Sequence, residues 1–278
     1  MRAIKIDASL FKTSLSALLL GEGGKHNMKS KKIEFENGRG QTLVGRFDQP
    51  DSGAHVIALF AHCFTCTKNL KAIAHISRAL TDEGIAVFRF DFTGLGESEG
   101  DFSDTNFTSN TEDLVAASAF LARTYSAPRI LIGHSLGGSA VLQAAHSMPD
   151  ARAVATIAAP CEPSHLNKLL NLEDTALNEA DEVEVHIGGK PFKIRRQFVN
   201  DLNEANMKQK IAGLGKALLI FHSPNDRTVS IDNAAYIFQT AKHPKSFISL
   251  DRADHLLMDE ADSRYVGSII AAWARRYI

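Results

Sequence analysis

The sequence predicts an α/β protein: a doubly wound, mainly parallel sheet with helices on both faces and a small inserted cap. Three observations carry this reading. Continuous apolar runs alternate with helix-patterned segments along the chain, as expected of strands buried on both faces. One such run, residues 129–132, leads through Gly133-His134-Ser135-Leu136-Gly137 into an apolar-patterned helix. The segment from 160 to 215 then breaks the alternation and is too long for a simple connection.

Taken in order, Ile33 and Phe35 alternate with their neighbours, Asn37-Gly38-Arg39-Gly40 turns, and residues 43–47 alternate again. That is an N-terminal hairpin at a sheet edge. Residues 56–60 form the first buried strand. A helix follows with Leu70, Ile73, Ser77 and Leu80 on one stripe and Gly84 as its stop. Residues 85–90 are the next strand, 91–110 read as a long polar loop, and 111–125 as a helix whose connection ends at Pro128. After the strand at 129–132 and the helix at 139–147, further strands fall at 153–158, 218–221 and 247–250. The last helix carries Val266, Ile269, Ile270, Trp273 and Tyr277 on one face. Inside the insertion, Ser164 caps a short helix, residues 183–187 and 192–194 alternate around Gly188-Gly189 as a hairpin, and Phe198, Val199 and Leu202 mark another helix. Arg195-Arg196 reads as a solvated face.

The 278 residues suit one larger domain, expected over 29–278, with residues 1–28 as a mobile leader and Met28 as an alternative start. With 44% hydrophobic and 23% charged residues and a net charge of −1, nothing points to nucleic acid as a partner. No apolar stretch is long enough to span a bilayer. Three cysteines, Cys63, Cys66 and Cys161, argue against a disulfide framework and for a reducing, cytoplasmic setting.

Gly-x-Ser-x-Gly between a strand and a helix is the pattern of a nucleophile elbow. A serine at so sharp a turn needs neighbours without Cβ, and the helix that begins beside it aims free N–H groups and a positive dipole end at the same point. Such a hydroxyl needs a base, and the base an orienting acid. In this architecture both belong in loops after later strands, in the order Ser, Asp, His. Asp226 follows the strand at 218–221, and His255 follows the strand at 247–250. Asp251 and Asp254 are rival acids, but they share the histidine's own loop and are poorly placed to hold the ring from behind. The oxyanion needs two N–H donors. Leu136, after the serine, supplies one. Phe64, in the loop His62-Cys63-Phe64-Thr65-Cys66 after the first buried strand, supplies the other, with Cys63 as the alternative. His62 is expected to brace that loop rather than act as a base.

Together these residues resemble the α/β-hydrolase family over residues 31–278. The stretches His62-Cys63-Phe64-Thr65-Cys66-Thr67-Lys68-Asn69, Arg89-Phe90-Asp91-Phe92-Thr93-Gly94-Leu95-Gly96 and Ile132-Gly133-His134-Ser135-Leu136-Gly137-Gly138 are similar to the hydrolase half of bacterial proteins that fuse this domain to an OsmC-type peroxide-reducing domain. The second domain is expected to be absent from this chain. The wider family has His-Gly where this chain has His62-Cys63. The resemblance implies serine hydrolase chemistry like that of esterases and serine aminopeptidases.

The leading expectation is hydrolysis of an ester, thioester or amide of a small-molecule acyl substrate through an acyl-enzyme on Ser135, without metal or organic cofactor. Two readings compete with it. Cys63-Phe64-Thr65-Cys66 has the spacing of a thiol redox module, although two buried or loop thiols are the preferred reading of that pair. The fold could also serve as a catalytically silent binding protein.

Overall fold

A computed structural model describes residues 28–54, 56–172, 181–187 and 189–278. Apart from Met28, the expected leader lies outside the described residues. Strands β1 (Met28–Glu36) and β2 (Thr42–Pro50) form the anticipated edge hairpin, with Ile33 opposite Gly45 and Phe35 opposite Leu43. β2 joins β4 (Ile85–Phe90) antiparallel. From β4 onward every neighbour is parallel: β3 (Val56–Ala61), β5 (Ile130–His134), β6 (Ala153–Ile157), β9 (Ala217–His222) and β10 (Lys245–Ser249). The order across the sheet is β1-β2-β4-β3-β5-β6-β9-β10.

Two apolar layers sandwich this sheet, and alternate residues of the central strands divide between them. Ala58 and Phe60 of β3 face helices α1 (Lys71–Asp82) and α8 (Glu260–Ala274), where Ile73, Ile76, Val266 and Ile270 meet them. Leu59 and Ala61 face the other way, toward α2 (Phe107–Thr124), α3 (Leu136–Ala144) and α7 (Asp232–Thr240). Every residue of β4, β5, β6 and β9 is buried. That explains why these strands read as unbroken apolar runs rather than alternations. Each large side chain so enclosed contributes about 1.5–3 kcal/mol.

Two elements depart from the sequence expectation. Helix α2 starts at Phe107, inside the stretch read as polar loop, because Asn106 and Ser109 form a reciprocal cap: the Asn106 side chain accepts from Ser109 N at 2.7 Å, and Ser109 Oγ accepts from Asn106 N at 2.9 Å. The segment between β6 and β9 holds the short helix α4 (His165–Leu169), the antiparallel pair β7 (Glu182–Ile187) and β8 (Lys190–Arg195), α5 (Arg196–Glu204), and an unanticipated α6 (Met207–Ala212). Ile194, Phe198, Leu202, Met207 and Ile211 seat it on the same layer as α2 and α3. Arg195 pairs with Asp104 and Arg196 with Asp181, both at the surface, in keeping with a solvated face.

Candidate active site

The turn from β5 into α3 places Ser135 at φ 54° and ψ −126°, a conformation that residues with a Cβ rarely adopt. Its backbone is tied on both sides: Ser135 N donates to Ile157 O at 2.8 Å and Gly138 N donates to Ser135 O at 2.8 Å. The flanking glycines are needed for space. A Cβ on Gly133 would lie 2.2 Å from Gly137 O, and one on Gly137 would lie 2.4 Å from His62 O and 2.5 Å from Ala61 O. Without those side chains α3 abuts the end of β3. That contact brings Leu136 and Phe64 to one cavity with Ser135 and His255. Leu136 opens α3, where the first N–H groups have no partner within the helix.

The loops after β9 and β10 deliver the other two residues. His255 Nε2 lies 3.0 Å from Ser135 Oγ, and His255 Nδ1 lies 2.7 Å from Asp226 Oδ2. The other oxygen of Asp226 accepts from Thr228 N at 2.8 Å and Val229 N at 2.9 Å. Burial works to raise the Asp226 carboxyl pKa, but the hydrogen bonds from His255, Val229 and Thr228 outweigh it and hold the group below its ordinary value. An ionised Asp226 keeps the proton on Nδ1 and leaves the Nε2 lone pair facing the serine hydroxyl. The rival acids are occupied elsewhere. Asp254 Oδ1 accepts from Leu256 N at 2.8 Å within its own loop, and Asp251 accepts from Ser249 Oγ at 2.6 Å.

Two histidines near this group were not singled out by sequence reasoning. His134 Nε2–H donates to the backbone oxygen of His255 at 2.7 Å, tying the elbow to the His255 loop across 121 positions. Burial, with the nearby His255 adding to it, pushes the His134 pKa down to about 4, so the ring is neutral. His222 Nε2–H donates to Val229 O at 2.8 Å and closes the turn that carries Asp226. Neither has a sequence signature, because each role depends on a partner's backbone.

The loop after β3 is held by buried polar groups. Phe92 N donates to His62 Nε2 at 3.4 Å, leaving Nδ1–H to donate to Cys63 O at 2.8 Å, and burial keeps the His62 pKa below its ordinary value. His62 thus braces the loop. Lys68, with no exposed surface, places its ammonium on Asp91 and on Glu97, the latter at 2.6 Å. Asp91 Oδ1 also accepts from Lys68 N at 2.7 Å. One expectation is corrected here: Cys63 and Cys66 are not two separate thiols but a disulfide, with Cα atoms 5.3 Å apart. The intervening turn explains it. Cys66 N donates to Cys63 O at 3.1 Å and Thr65 adopts φ 58°, so the chain folds back on itself and the two side chains meet. Spacing does not reveal that turn. Cys161 is free and half-buried, and burial raises its thiol pKa.

The cavity in front of Ser135 has a volume of about 460 Å³. Leu70, Leu166, Leu170, Ile187, Val229 and Leu256 make its wall largely apolar. Among the described residues no cluster of His, Cys, Asp and Glu is arranged to hold a metal ion, and no helix is long and apolar enough to cross a membrane.

A serine set beside a histidine and a buried aspartate on a mostly parallel sheet is the arrangement of the α/β-hydrolases, and the chain belongs to that family. The esterase domain of a Rhodothermus marinus protein is 51% identical to it, covering 90% of this chain and 99% of that one with a TM-score of 0.75. The chain is an esterase-type member. Residues 59–183 match the family model described as serine aminopeptidase, S33. A monoacylglycerol lipase of Mycolicibacterium smegmatis is 24% identical over 261 residues, covering 81% of this chain and 89% of the relative. Est1E of Butyrivibrio proteoclasticus, solved with ferulic acid bound, shares the fold at 17% identity and a TM-score of 0.74, covering 88% of this chain and 98% of that one.

Proposed function

We propose that the chain is a serine esterase that hydrolyses carboxylic esters with an apolar acyl group through an acyl-enzyme on Ser135. The observation that carries this reading is the pair of contacts at His255, 3.0 Å to Ser135 Oγ and 2.7 Å to Asp226 Oδ2, at the edge of an apolar cavity. His255 takes the serine proton as the hydroxyl attacks the ester carbonyl, then returns it to the leaving alcohol. Asp226 holds the ring and stabilises the imidazolium. The N–H groups of Leu136 and Phe64 receive the oxyanion. Water, deprotonated by the same histidine, then releases the acid. Thioesters and amides are open to the same steps, with esters favoured by the names of the relatives. No metal or organic cofactor takes part.

Within the domain at 29–278 we assign the segment at about 160–215 as a cap that shapes the acyl site. The proposed setting is the cytoplasm. A disulfide there is a reducible element rather than a permanent staple. The likeness to the hydrolase half of OsmC-type fusions rests on the three motif stretches and adds no peroxide chemistry.

Ser135→Ala tests the reading. It is expected to abolish fluorophosphonate labelling and to lower ester kcat by roughly 10⁴-fold or more, with the fold intact, while a panel of p-nitrophenyl esters reports the acyl length the wild type prefers. Undiminished labelling of the variant places the nucleophile elsewhere. Absence of ester turnover together with a readily titrated Cys63–Cys66 couple favours the thiol redox reading instead, and absence of both favours a binding protein.

A further inference from the structure

The Cys63–Cys66 disulfide forms part of the wall of the cavity that holds Ser135 and His255. It brackets Phe64, the residue whose N–H is assigned to the oxyanion. Behind the same loop lies a second, small void bordered by His62, Cys63, Phe64, Thr65, Phe92 and Leu136. The turn therefore faces the open cavity on one side and a crevice of only about 10 Å³ on the other. Thr65 is also held at φ 58°, a left-handed conformation that a β-branched residue avoids. A turn in this state relaxes when its ties are cut.

Three ties hold it. The hydrogen bonds from Cys66 N at 3.1 Å and from His62 Nδ1 at 2.8 Å both end on one atom, Cys63 O. They orient the planar 63–64 peptide group, whose N–H is that of Phe64, and the bond from Cys66 N lasts only while the turn stays closed. The Phe64 ring is set between Phe102 and Phe198, with centroids 5.5 and 5.4 Å away, which anchors the side chain rather than the N–H direction. The sulfur bridge is the covalent tie that spans Phe64 and Thr65, and water cannot replace it.

We propose that this disulfide is a positioning element for the Phe64 N–H, and that its reduction by small thiols entering the substrate cavity lowers the rate of ester hydrolysis. The inference rests on the reading of Phe64 as an oxyanion donor. Cys66 is half-buried and borders the cavity, whereas Cys63 is only 4% exposed, so the attack falls on the Cys66 sulfur. A thiolate RS⁻ bonds to Cys66 Sγ, the protein S–S bond breaks, and the electron pair leaves on Cys63 Sγ. A second thiolate attacks the external sulfur of the mixed disulfide and releases RSSR and the Cys66 thiolate. Two small thiols are oxidised, one protein disulfide is reduced, and the two cysteine thiolates take up the two thiol protons.

The test treats folded wild type with 2-mercaptoethanol and follows alkylatable thiols by mass together with kcat, KM and near-UV circular dichroism. The thiol count is expected to rise from one, Cys161, to three. With the folded signal unchanged, kcat is expected to fall roughly 10- to 100-fold, less than the roughly 10²–10³-fold loss on removing an oxyanion donor outright, while KM moves less than threefold. Reoxidation restores kcat. Cys66→Ser reproduces the low kcat and no longer responds to the thiol; where that variant does not fold, the reduction of wild type decides. Full kcat with three free thiols overturns the proposal, as does a count that stays at one, or a loss of kcat that tracks loss of the folded signal. Ser135→Ala run alongside separates the two readings. If it remains active, the acyl-enzyme reading fails; if it is dead while reduced wild type keeps full kcat, only the present proposal fails.

Discussion

The side of the cavity that carries Ser135, Asp226 and His255 and the side supplied by α4 and the β7–β8 hairpin are held by different interactions. On the first side, backbone and side-chain polar atoms are tied to buried groups. Ser135 is bonded at both its N–H and its carbonyl, Asp226 uses both oxygens, and His255 is held through its ring and through its own carbonyl by His134. On the second side, Leu166, Leu169, Leu170 and Ile187 reach the cavity mainly as apolar side chains. A polar tie connects that side to the first, from His165 Nε2 to Thr228 O at 3.0 Å. Proton transfer requires hydrogen-bond distances held to a fraction of an ångström, and directional bonds supply that. Enclosing an acyl chain needs only shape and dryness, which tolerate adjustment.

The contrast is broken most severely at Asp226. Asp226→Asn keeps the volume but places an amide where His255 Nδ1–H needs an acceptor, favouring the wrong tautomer. Its kcat is expected to fall roughly 10⁴-fold with KM little changed; steady-state kinetics showing a loss under tenfold would mean that the aspartate is not the orienting acid.

His134 offers a smaller and pH-dependent effect, read on stability. Its pKa is about 4 in the folded protein against an ordinary value of 6.5. The unfolded chain therefore binds more protons between those limits, and stability is lost as pH falls from 6.5 toward 4, by at most about 3 kcal/mol. The His62 and His222 pKa values are lowered by burial too and lean the same way. Denaturant titrations of wild type and His134→Gln at pH 7 and pH 4.5 check the assignment. The stability gap between the two proteins is expected to shrink at the lower pH, and a constant gap refutes it.

The smallest effect belongs to the apolar side. Leu169 borders the cavity yet is 46% exposed. Leu169→Ala is expected to shift the preferred acyl length on an ester panel by no more than about fourfold, the equivalent of one methylene left in water, without altering the rate on acetyl esters. A uniform loss across the panel would give that side a role in catalysis.

The same contrast describes what the sequence made legible. The central strands of the parallel sheet were readable because burial on both faces leaves unbroken apolar runs, and Ser135, Asp226 and His255 because chain order and strand ends restrict where partners can sit. The start of α2 was hidden, since Asn106 and Ser109 look like loop residues until their reciprocal bonds are seen. Helix α6 was hidden for a related reason: it is short, and the Asn206 side chain that caps it reads as turn composition. The buried Lys68–Asp91 pair, the His134 tie and the Cys63–Cys66 bond depend on where distant or locally folded backbone comes to rest. Composition and periodicity do not encode that.

The position of β10 has a consequence for the newly made chain. This strand is the outermost described in the parallel half of the sheet, its neighbour there is β9, and the loop that follows it carries His255. Ser135 lies 120 residues earlier, in the centre of the sheet. Domains gain structure as they leave the ribosome, N-terminal parts first. The serine can thus be seated between β5 and α3 while its base is still inside the synthetic machinery, and its hydroxyl then has nothing to take its proton. On the proposed mechanism, hydrolysis begins only when the edge strand docks, and the growing polypeptide stays chemically silent toward esters until the sheet is closed.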